Sequence, residues 1–329
     1  MNTPPPLRVR GWFATQALAG ALGVSGLLAC GPAAPTAEPR GSDCEPTSFD
    51  LTTELVSGAA EAVLQVNCYR SRMNANLVVL DASLNEAAQL HAEYLAATGA
   101  WGHGEADTDQ KSYRGDSPGL RAEAAGFSID DNTQSISELI GFRASGADAS
   151  AAVDLWFTTV YHRLPLAIPE LEAVGFGSSG IYDVMLVVSP WESTGATPEF
   201  QSHVYPVPGQ RDVPLAFDTD REIPDPVPEA GEVGFPVSVS FLNQSFHQPG
   251  DLYALEINPD TSSLRTASGE LVPTLLLSPP DDELIVRSAV LIPLAPLEAG
   301  TYYSAAVAGS IDGTAFSQSW SFETVVADP

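Results

Sequence analysis

Few residues in this chain can do covalent or metal chemistry, since its 329 residues include three cysteines and five histidines. The His-Glu-x-x-His zinc motif, the Gly-x-Ser-x-Gly nucleophile motif and the P-loop are absent from the sequence. Residues 218–222 carry acids at alternate positions, but they lack the glycine and the terminal glutamate of a calcium loop. The sequence therefore contains no complete signature of these enzyme and metal-binding classes.

Cys30 ends an N-terminal segment that has the parts of a secretory signal. Arg8 and Arg10 precede an apolar run over residues 14–29. Residues 27–30, Leu-Leu-Ala-Cys, resemble the bacterial lipobox, which implies that residues 1–29 are a signal peptide and that Cys30 is lipidated. The alternative is an ordinary signal peptide that is cut near Ala29. Because attached lipid chains hold a protein on a bilayer, we expect an exported protein anchored in the cell envelope, at the outer membrane or cell surface.

The segment that follows, residues 30–50, contains the lipidated cysteine and a Pro/Ala-rich stretch that predicts an extended tether. Two cysteines remain, Cys44 at the end of this tether and Cys68 in the first predicted helix. An oxidising compartment favours a disulfide between them. The alternative is a pair of free thiols.

The charge of the chain restricts its partners. Fourteen basic residues face 42 acidic ones, which gives a formal net charge of −28. Contacts with phosphates need lysine and arginine, so nucleic acid is excluded as a partner. The acids are scattered along the chain rather than grouped, which is typical of a solvated surface in an acidic extracellular protein.

The hydrophobic pattern predicts an α+β chain with two domains, residues 51–192 and residues 203–329. Helices are predicted in the first domain over Thr52–Asn74, from a capping box at Ser83 to Gly99, from Ser117 to Gly126 and from Asp148 to His162. Short strands are predicted there over 136–140, 173–176 and 182–188. Helices mixed with a small sheet indicate a layered first domain.

After residue 200 the apolar residues alternate, which predicts strands. Seven are predicted: Val213–Phe217, Val237–Phe241, Leu252–Ile257, Leu271–Leu277, Leu284–Leu294, Thr301–Ala308 and Ser317–Thr324. Residues 297–303 look like a tyrosine corner. This half resembles the bacterial Ig-like domains that accompany surface proteins, which implies an all-β sandwich.

Several short motifs follow one another in the first domain. They are Asn67-Cys-Tyr-Arg70, Ala88-Gln-Leu-His91-Ala92, Trp101-Gly-His103, Leu120-Arg-Ala-Glu-Ala-Ala-Gly-Phe127, Ser137-Glu138-Leu-Ile140, Trp156, Tyr161-His162-Arg163 and Glu172-Ala-Val-Gly-Phe-Gly177. This order resembles the CAP superfamily, whose members have an SCP-like extracellular domain, and in particular its bacterial branch. The resemblance implies an α-β-α sandwich with a ligand cleft.

The resemblance also assigns residues to that cleft. His103 matches the histidine of the family's Phe-Ser-His motif, Glu138 matches the acid of Gly-Glu-Asn, and His162 matches the histidine that precedes an arginine. Thr159 stands where many members have a second acid. The neighbours of the acid, Ser and Leu rather than Gly and Asn, also depart from the pattern.

Two imidazoles and one carboxylate with an open fourth position suit a divalent cation such as zinc. The same three groups, His103, Glu138 and His162, are also able to move protons near neutral pH. The alternative is that His103 and Glu138 only hold the cleft together through a hydrogen bond. Trp101, beside the cleft, is a ligand platform or a core residue.

Three other polar residues are predicted to stay outside the site. His91 lies on the apolar stripe of its helix, which indicates a hydrogen-bonded core histidine. Glu105 and Asp107 are either an extension of a cation site or, more simply, part of a solvated loop.

Three functions follow from these features. The first is a binding module for a small apolar ligand, a cell-wall component or a protein partner, with the Ig-like domain as a spacer or docking unit. The second is a metal-assisted hydrolase that uses His103, Glu138 and His162. The third is a structural envelope protein. Because no nucleophile or complete set of metal ligands is found, binding is preferred to catalysis.

Overall fold

The computed structural model describes residues 57–129, 134–169, 171–190, 200–228, 230–243, 255–285 and 287–326. These residues all belong to one compact unit. The signal peptide, Cys30, the tether and Cys44 lie outside the described residues, so the lipid anchor and the Cys44–Cys68 disulfide stay predictions. None of the described helices is both long enough and apolar enough to cross a membrane.

The helical region occupies the first part of the described chain. Its helices are α1 (Ser57–Arg72), α2 (Ala82–Thr98), α3 (Pro118–Ala124), α4 (Ala149–Thr158) and α5 (Arg163–Leu166). Helix α2 is capped by Asp81 rather than by the predicted Ser83, because the Asp81 carboxylate accepts hydrogen bonds from the backbone N–H groups of Ser83 and Leu84. Helix α4 ends before the predicted His162, since Thr159 adopts an extended conformation.

A four-stranded sheet lies between these helices. Its strands are β1 (Val79–Leu80), β2 (Gln134–Phe142), β3 (Ala173–Ser179) and β4 (Tyr182–Pro190), in the order β1-β3-β4-β2. Only the β1–β3 pair is parallel. Successive side chains of β2 point to opposite faces. Ile136 and Ile140 pack with α2, whereas Leu139 packs with α1 and α4, so the sheet is covered on both faces.

Helix α2 lies unusually close to strand β3, at the Gly-Phe-Gly sequence of residues 175–177. A Cβ atom at Gly175 or Gly177 would overlap the backbone of α2. The amide side chains of Asn85 and Gln89 accept hydrogen bonds from the backbone N–H groups of β3. The two glycines therefore allow the close packing that fixes the α2 face of the sheet.

The rest of the described chain is an all-β region, as predicted. Its strands are β5 (Phe200–Tyr205), β6 (Ala216–Asp218), β7 (Glu232–Gly234), β8 (Val237–Asn243), β9 (Leu255–Ile257), β10 (Ser263–Thr266), β11 (Leu271–Val272), β12 (Thr274–Leu277), β13 (Ser288–Pro293), β14 (Tyr302–Ile311) and β15 (Thr314–Glu323). They form antiparallel sheets. One has the order β11-β10-β14-β15, and β9 also pairs with β14 in it. Another has the order β12-β13-β8-β5, and β6 pairs with β7. The Ig-like assignment of this region stays a prediction.

The strand predictions missed β5, β7 and β10 and merged β11 with β12. Pro273 separates β11 from β12, because proline has no N–H to continue a ladder. The predicted tyrosine corner involves Tyr303, whose buried hydroxyl accepts a hydrogen bond from the backbone N–H of Glu298 at 2.9 Å. This bond holds the connection that leads into β14.

Candidate functional site

His103 and Glu138 are in contact, as the cleft prediction requires. Glu138 lies on β2 between Ile136 and Ile140, so its side chain is on the face of the sheet that α2 covers. His103 Nδ1 is 2.9 Å from Glu138 Oε1. The Glu138 side chain is 1% exposed, whereas that of His103 is 59% exposed. The pair therefore joins a buried acid to an imidazole that solvent can reach.

Arg121 provides the second contact of this acid. Its Nη2 donates to Glu138 Oε2 at 2.6 Å, and its Nη1 donates to the carbonyl of Gly115. The Arg121 side chain is fully buried. Helix α3 positions it, since Ser117 caps the helix and Pro118 begins it. A charge-assisted bond of this length fixes the orientation of the Glu138 carboxylate.

A second buried pair, His91 and Glu105, lies behind the first. His91 Nδ1 is 2.9 Å from Glu105 Oε1, and His91 Nε2 is 3.2 Å from the carbonyl of Gly102 and 3.6 Å from Glu138 Oε1. His91 is buried, as predicted, but Glu105 is buried as well, so its assignment to a solvated loop was wrong. Its other oxygen accepts the backbone N–H of Arg114.

The pKa of Glu105 is lowered by these partners. Burial alone would raise the pKa, but the hydrogen bonds from His91 and Arg114 and the charge of Arg121 outweigh it. Arg121 Nε lies 3.9 Å from Glu105 Oε1. The guanidinium therefore stands beside both carboxylates and supplies the positive charge that a metal ion would otherwise bring.

This arrangement does not fit the predicted divalent cation. No group of three or more His, Cys, Asp or Glu side chains among the described residues is arranged to hold a metal ion. The two acids already share the charge of Arg121. The cluster is therefore a set of paired charges that positions His103.

Trp101 lies two residues before His103 and is 63% exposed, so it is not a core residue. The loop that carries it is held at its far side by Tyr94, whose hydroxyl accepts hydrogen bonds from the backbone N–H groups of Ala106 and Asp107. The His103 Nε2 atom makes no hydrogen bond with any residue in the described part of the chain. We call Trp101, His103 and Glu138 together the cleft.

His162 does not join this cleft, which corrects the prediction. It follows α4, and α4 packs on the Leu139 face of the sheet rather than on the Glu138 face. Its Nδ1 is 2.9 Å from Glu222 Oε1 in the β region. Glu222 also accepts the backbone N–H groups of Val160 and His162, at 2.7 and 3.0 Å. The Glu222 carboxylate therefore binds the backbone that follows α4. It also holds His162 away from Glu138.

Arg163, the next residue, connects the helical and β regions. It is fully buried, and it donates to the carbonyls of Phe157 and Pro236 at 2.8 and 2.7 Å. Its guanidinium lies 4.9 Å from the ring centroids of both Tyr205 and Phe235. We call this contact region, with Glu222 and Arg163 at its centre, the junction.

The sequence analysis did not predict the buried contacts of three residues of these two clusters: Glu105, Arg121 and Glu222. Each is a charged residue that is at most 2% exposed. Arg121 was part of a motif, but nothing in its spacing indicates that it contacts an acid far along the chain. Glu222 was considered only as part of a calcium loop, which it does not form with the described residues.

Comparison with known proteins agrees with this architecture. Residues 63–188 match the model of the CAP family, described as the cysteine-rich secretory protein family. The helical region with its four-stranded sheet is therefore a CAP domain. Trp101, His103 and Glu138 lie within the matched range, as do His162 and Arg163.

Several solved structures are similar to part of the chain. An extracellular protein with an SCP domain from Bacillus anthracis str. Ames is 19% identical, with a TM-score of 0.35 and 40% of each chain covered. An outer surface protein of Borrelia burgdorferi is 18% identical, with a TM-score of 0.29 over 39% of this chain and 87% of that one. A DUF4426 family protein from Pseudomonas aeruginosa PAO1 is 13% identical, with a TM-score of 0.26 over 42% and 98%. No curated protein matches the chain.

Proposed function

We propose that this chain is a lipid-anchored protein of the cell envelope whose CAP domain binds a cell-wall saccharide at the cleft. The observation that carries the proposal is the exposed indole of Trp101, two residues before the mostly exposed imidazole of His103. Indole faces bind the apolar faces of sugar rings, and a few fixed polar groups orient such a ligand. The β region is proposed as a spacer or docking unit.

The buried charges support binding because they hold His103 in one orientation. Glu138 accepts from the Nδ1 side of the ring and is itself fixed by Arg121. A binding group that is already oriented loses less entropy when a ligand arrives. The net charge of −28 favours a neutral saccharide over a polyanionic wall polymer.

The other two predicted functions have less support. A metal-assisted hydrolase would need His162 beside His103 and Glu138, but His162 contacts Glu222 instead. A purely structural role makes no use of the exposed indole of Trp101 or of the mostly exposed ring of His103 two residues later.

The test is a pelleting assay with purified cell-wall sacculi. We expect the full chain to sediment with the sacculi and the Trp101→Ala and His103→Ala variants to lose most of this binding. Tyr302→Ala is the control, because Tyr302 is an aromatic residue of the β region that is 50% exposed. Equal binding by all four proteins would contradict the proposal, and release of soluble fragments from the sacculi would favour the hydrolase.

A further inference from the structure

Strand β15 lies at one edge of the five-stranded sheet of the β region. It pairs with β14 over its full length, from Thr314 to Glu323, in one continuous register without a bulge. Asp312 and Gly313 form the turn between the two strands, and both have positive φ angles. A turn of this kind matches the twist of hairpin strands. The hairpin is therefore long and regular, and the other side of β15 faces away from the sheet.

The chain itself covers the second half of this edge. The backbone N–H of Gly209 donates to the carbonyl of Ser321 at 2.7 Å. The N–H of Val213 donates to the carbonyl of Glu323 at 3.1 Å. Two of the three residues before Gly209 are prolines, which have no N–H to extend this pairing along β15. The covering segment therefore ends near Ser321.

The first half of the edge has no such cover. In an antiparallel strand, the backbone groups of alternate residues point to the same side. Since the carbonyls of residues 321 and 323 point away from β14, the backbone groups of Ala315, Ser317 and Ser319 do so as well. These three residues are exposed, and their N–H and C=O groups make no hydrogen bond in the part of the chain that the structure describes. They form a row of backbone donors and acceptors that solvent can reach.

This half of β15 also lacks the features that protect edge strands in other proteins. Charged side chains, prolines and bulges normally prevent one sheet edge from pairing with another. Residues 314–319 are Thr-Ala-Phe-Ser-Gln-Ser and contain no charged residue and no proline, although the chain has 42 acids and 14 bases. Because the net charge of the chain is −28, two copies repel each other over most surfaces. Along this stretch, no acid is placed opposite another acid.

We propose that two copies of this chain associate through the first half of β15, antiparallel and related by a two-fold axis at Ser317. Ser317 is the middle residue of the uncovered row, so this register pairs every free backbone group. It places Ser317 opposite the partner's Ser317, and Ala315 opposite the partner's Ser319. The sheets of the two copies then form one continuous sheet. An edge of this length buries less area than a standard interface, so we expect a Kd of about 10–100 µM.

Disulfide trapping of the full chain tests the register. Residues that form a hydrogen-bonded antiparallel pair have Cα atoms about 5.5 Å apart, which a disulfide can span. Ser317→Cys should therefore give a covalent dimer on a non-reducing gel after mild oxidation. Ser319→Cys is the matched control, because the two copies of residue 319 are separated by roughly 14 Å along the strands. The unsubstituted chain shows any crosslinking through the native cysteines. No covalent dimer with Ser317→Cys, or equal amounts with both variants, would overturn the proposal.

Sedimentation equilibrium of the full chain measures the association itself. Ser317→Pro removes an N–H that points away from β14, so it should leave the hairpin paired and weaken dimerisation at least tenfold. Ser317→Ala keeps this N–H and should dimerise as the wild type does. A wild-type chain that stays monomeric at about 100 µM, or a Ser317→Pro variant that dimerises normally, would contradict the proposal. Circular dichroism checks the fold of each variant, and if Ser317→Pro does not fold, the two cysteine variants decide.

Discussion

The Glu138 carboxylate accepts hydrogen bonds from two cationic or ionisable side chains that differ in exposure. Arg121 is fully buried, and its bond to Glu138 is 2.6 Å long. His103 is mostly exposed and bonds to the other oxygen. A buried guanidinium that loses its acid partner remains desolvated without a compensating charge. The Arg121–Glu138 bond therefore stabilises the fold, whereas the His103–Glu138 bond mainly orients the imidazole in the cleft.

Glu138→Gln should therefore lower the free energy of unfolding by about 3 kcal/mol, since the buried charge of Arg121 is left without its strongest partner. Urea denaturation monitored by circular dichroism measures the change. Glu123→Gln makes the same substitution at an exposed position of α3 and should have almost no effect. Equal effects of the two substitutions would show that the Arg121 bond contributes little.

The sequence predicted the residues of the cleft only in part. The motif order identified His103 and Glu138, because both motifs are local in the chain. The partners of Glu138 are not local: Arg121 lies 17 residues away and is recognisable only after α3 and β2 are packed together. His162 was assigned wrongly, because the motif does not show on which face of the sheet its helix lies.

At the scale of elements, sequence features next to a helix end predicted that end, whereas a helix end that depends on a distant residue was not predicted. The caps at Ser117 and Asp148 and the left-handed Gly99 marked helix ends correctly. The end of α4 was missed, because it depends on the Glu222 carboxylate, which lies about 60 residues further along the chain. Strand β10 was missed because Leu264 is its single apolar residue.

The tyrosine corner allows a matched test at this scale. Tyr303→Phe should lower the free energy of unfolding by about 1–2 kcal/mol, because the buried N–H of Glu298 loses its acceptor. Tyr302→Phe changes the neighbouring residue, which is 50% exposed, and should be nearly neutral. Thermal unfolding of both variants measures the difference, and a neutral Tyr303→Phe would show that the corner is not a stabilising feature.

At the scale of the whole molecule, the junction makes the CAP domain and the β region parts of one compact unit. The sequence pattern placed a boundary between residues 192 and 203, where the hydrophobic period changes. It gave no indication of the contacts across that boundary. Arg163, Tyr205 and Phe235 make these contacts with buried side chains, so the two regions share a core.

We expect calorimetry of the full chain to show one cooperative transition, because a shared core couples the unfolding of both regions. Arg163→Lys should lower the free energy of unfolding by about 2–4 kcal/mol or divide the single transition into two. Lysine lacks the planar guanidinium that contacts two aromatic rings and two backbone carbonyls. Arg265→Lys, at an exposed arginine, is the control. Two separate transitions in the wild type would contradict the coupling.

The acid of the cleft and the junction lie on opposite faces of one sheet. The β region packs on the α1–α4 side, whereas Glu138 lies on the side that α2 covers. A saccharide that binds at the cleft, as proposed, would therefore approach a face of the sheet that the β region does not cover. We expect the number of proteins bound to one glycan polymer to rise with the length of that polymer.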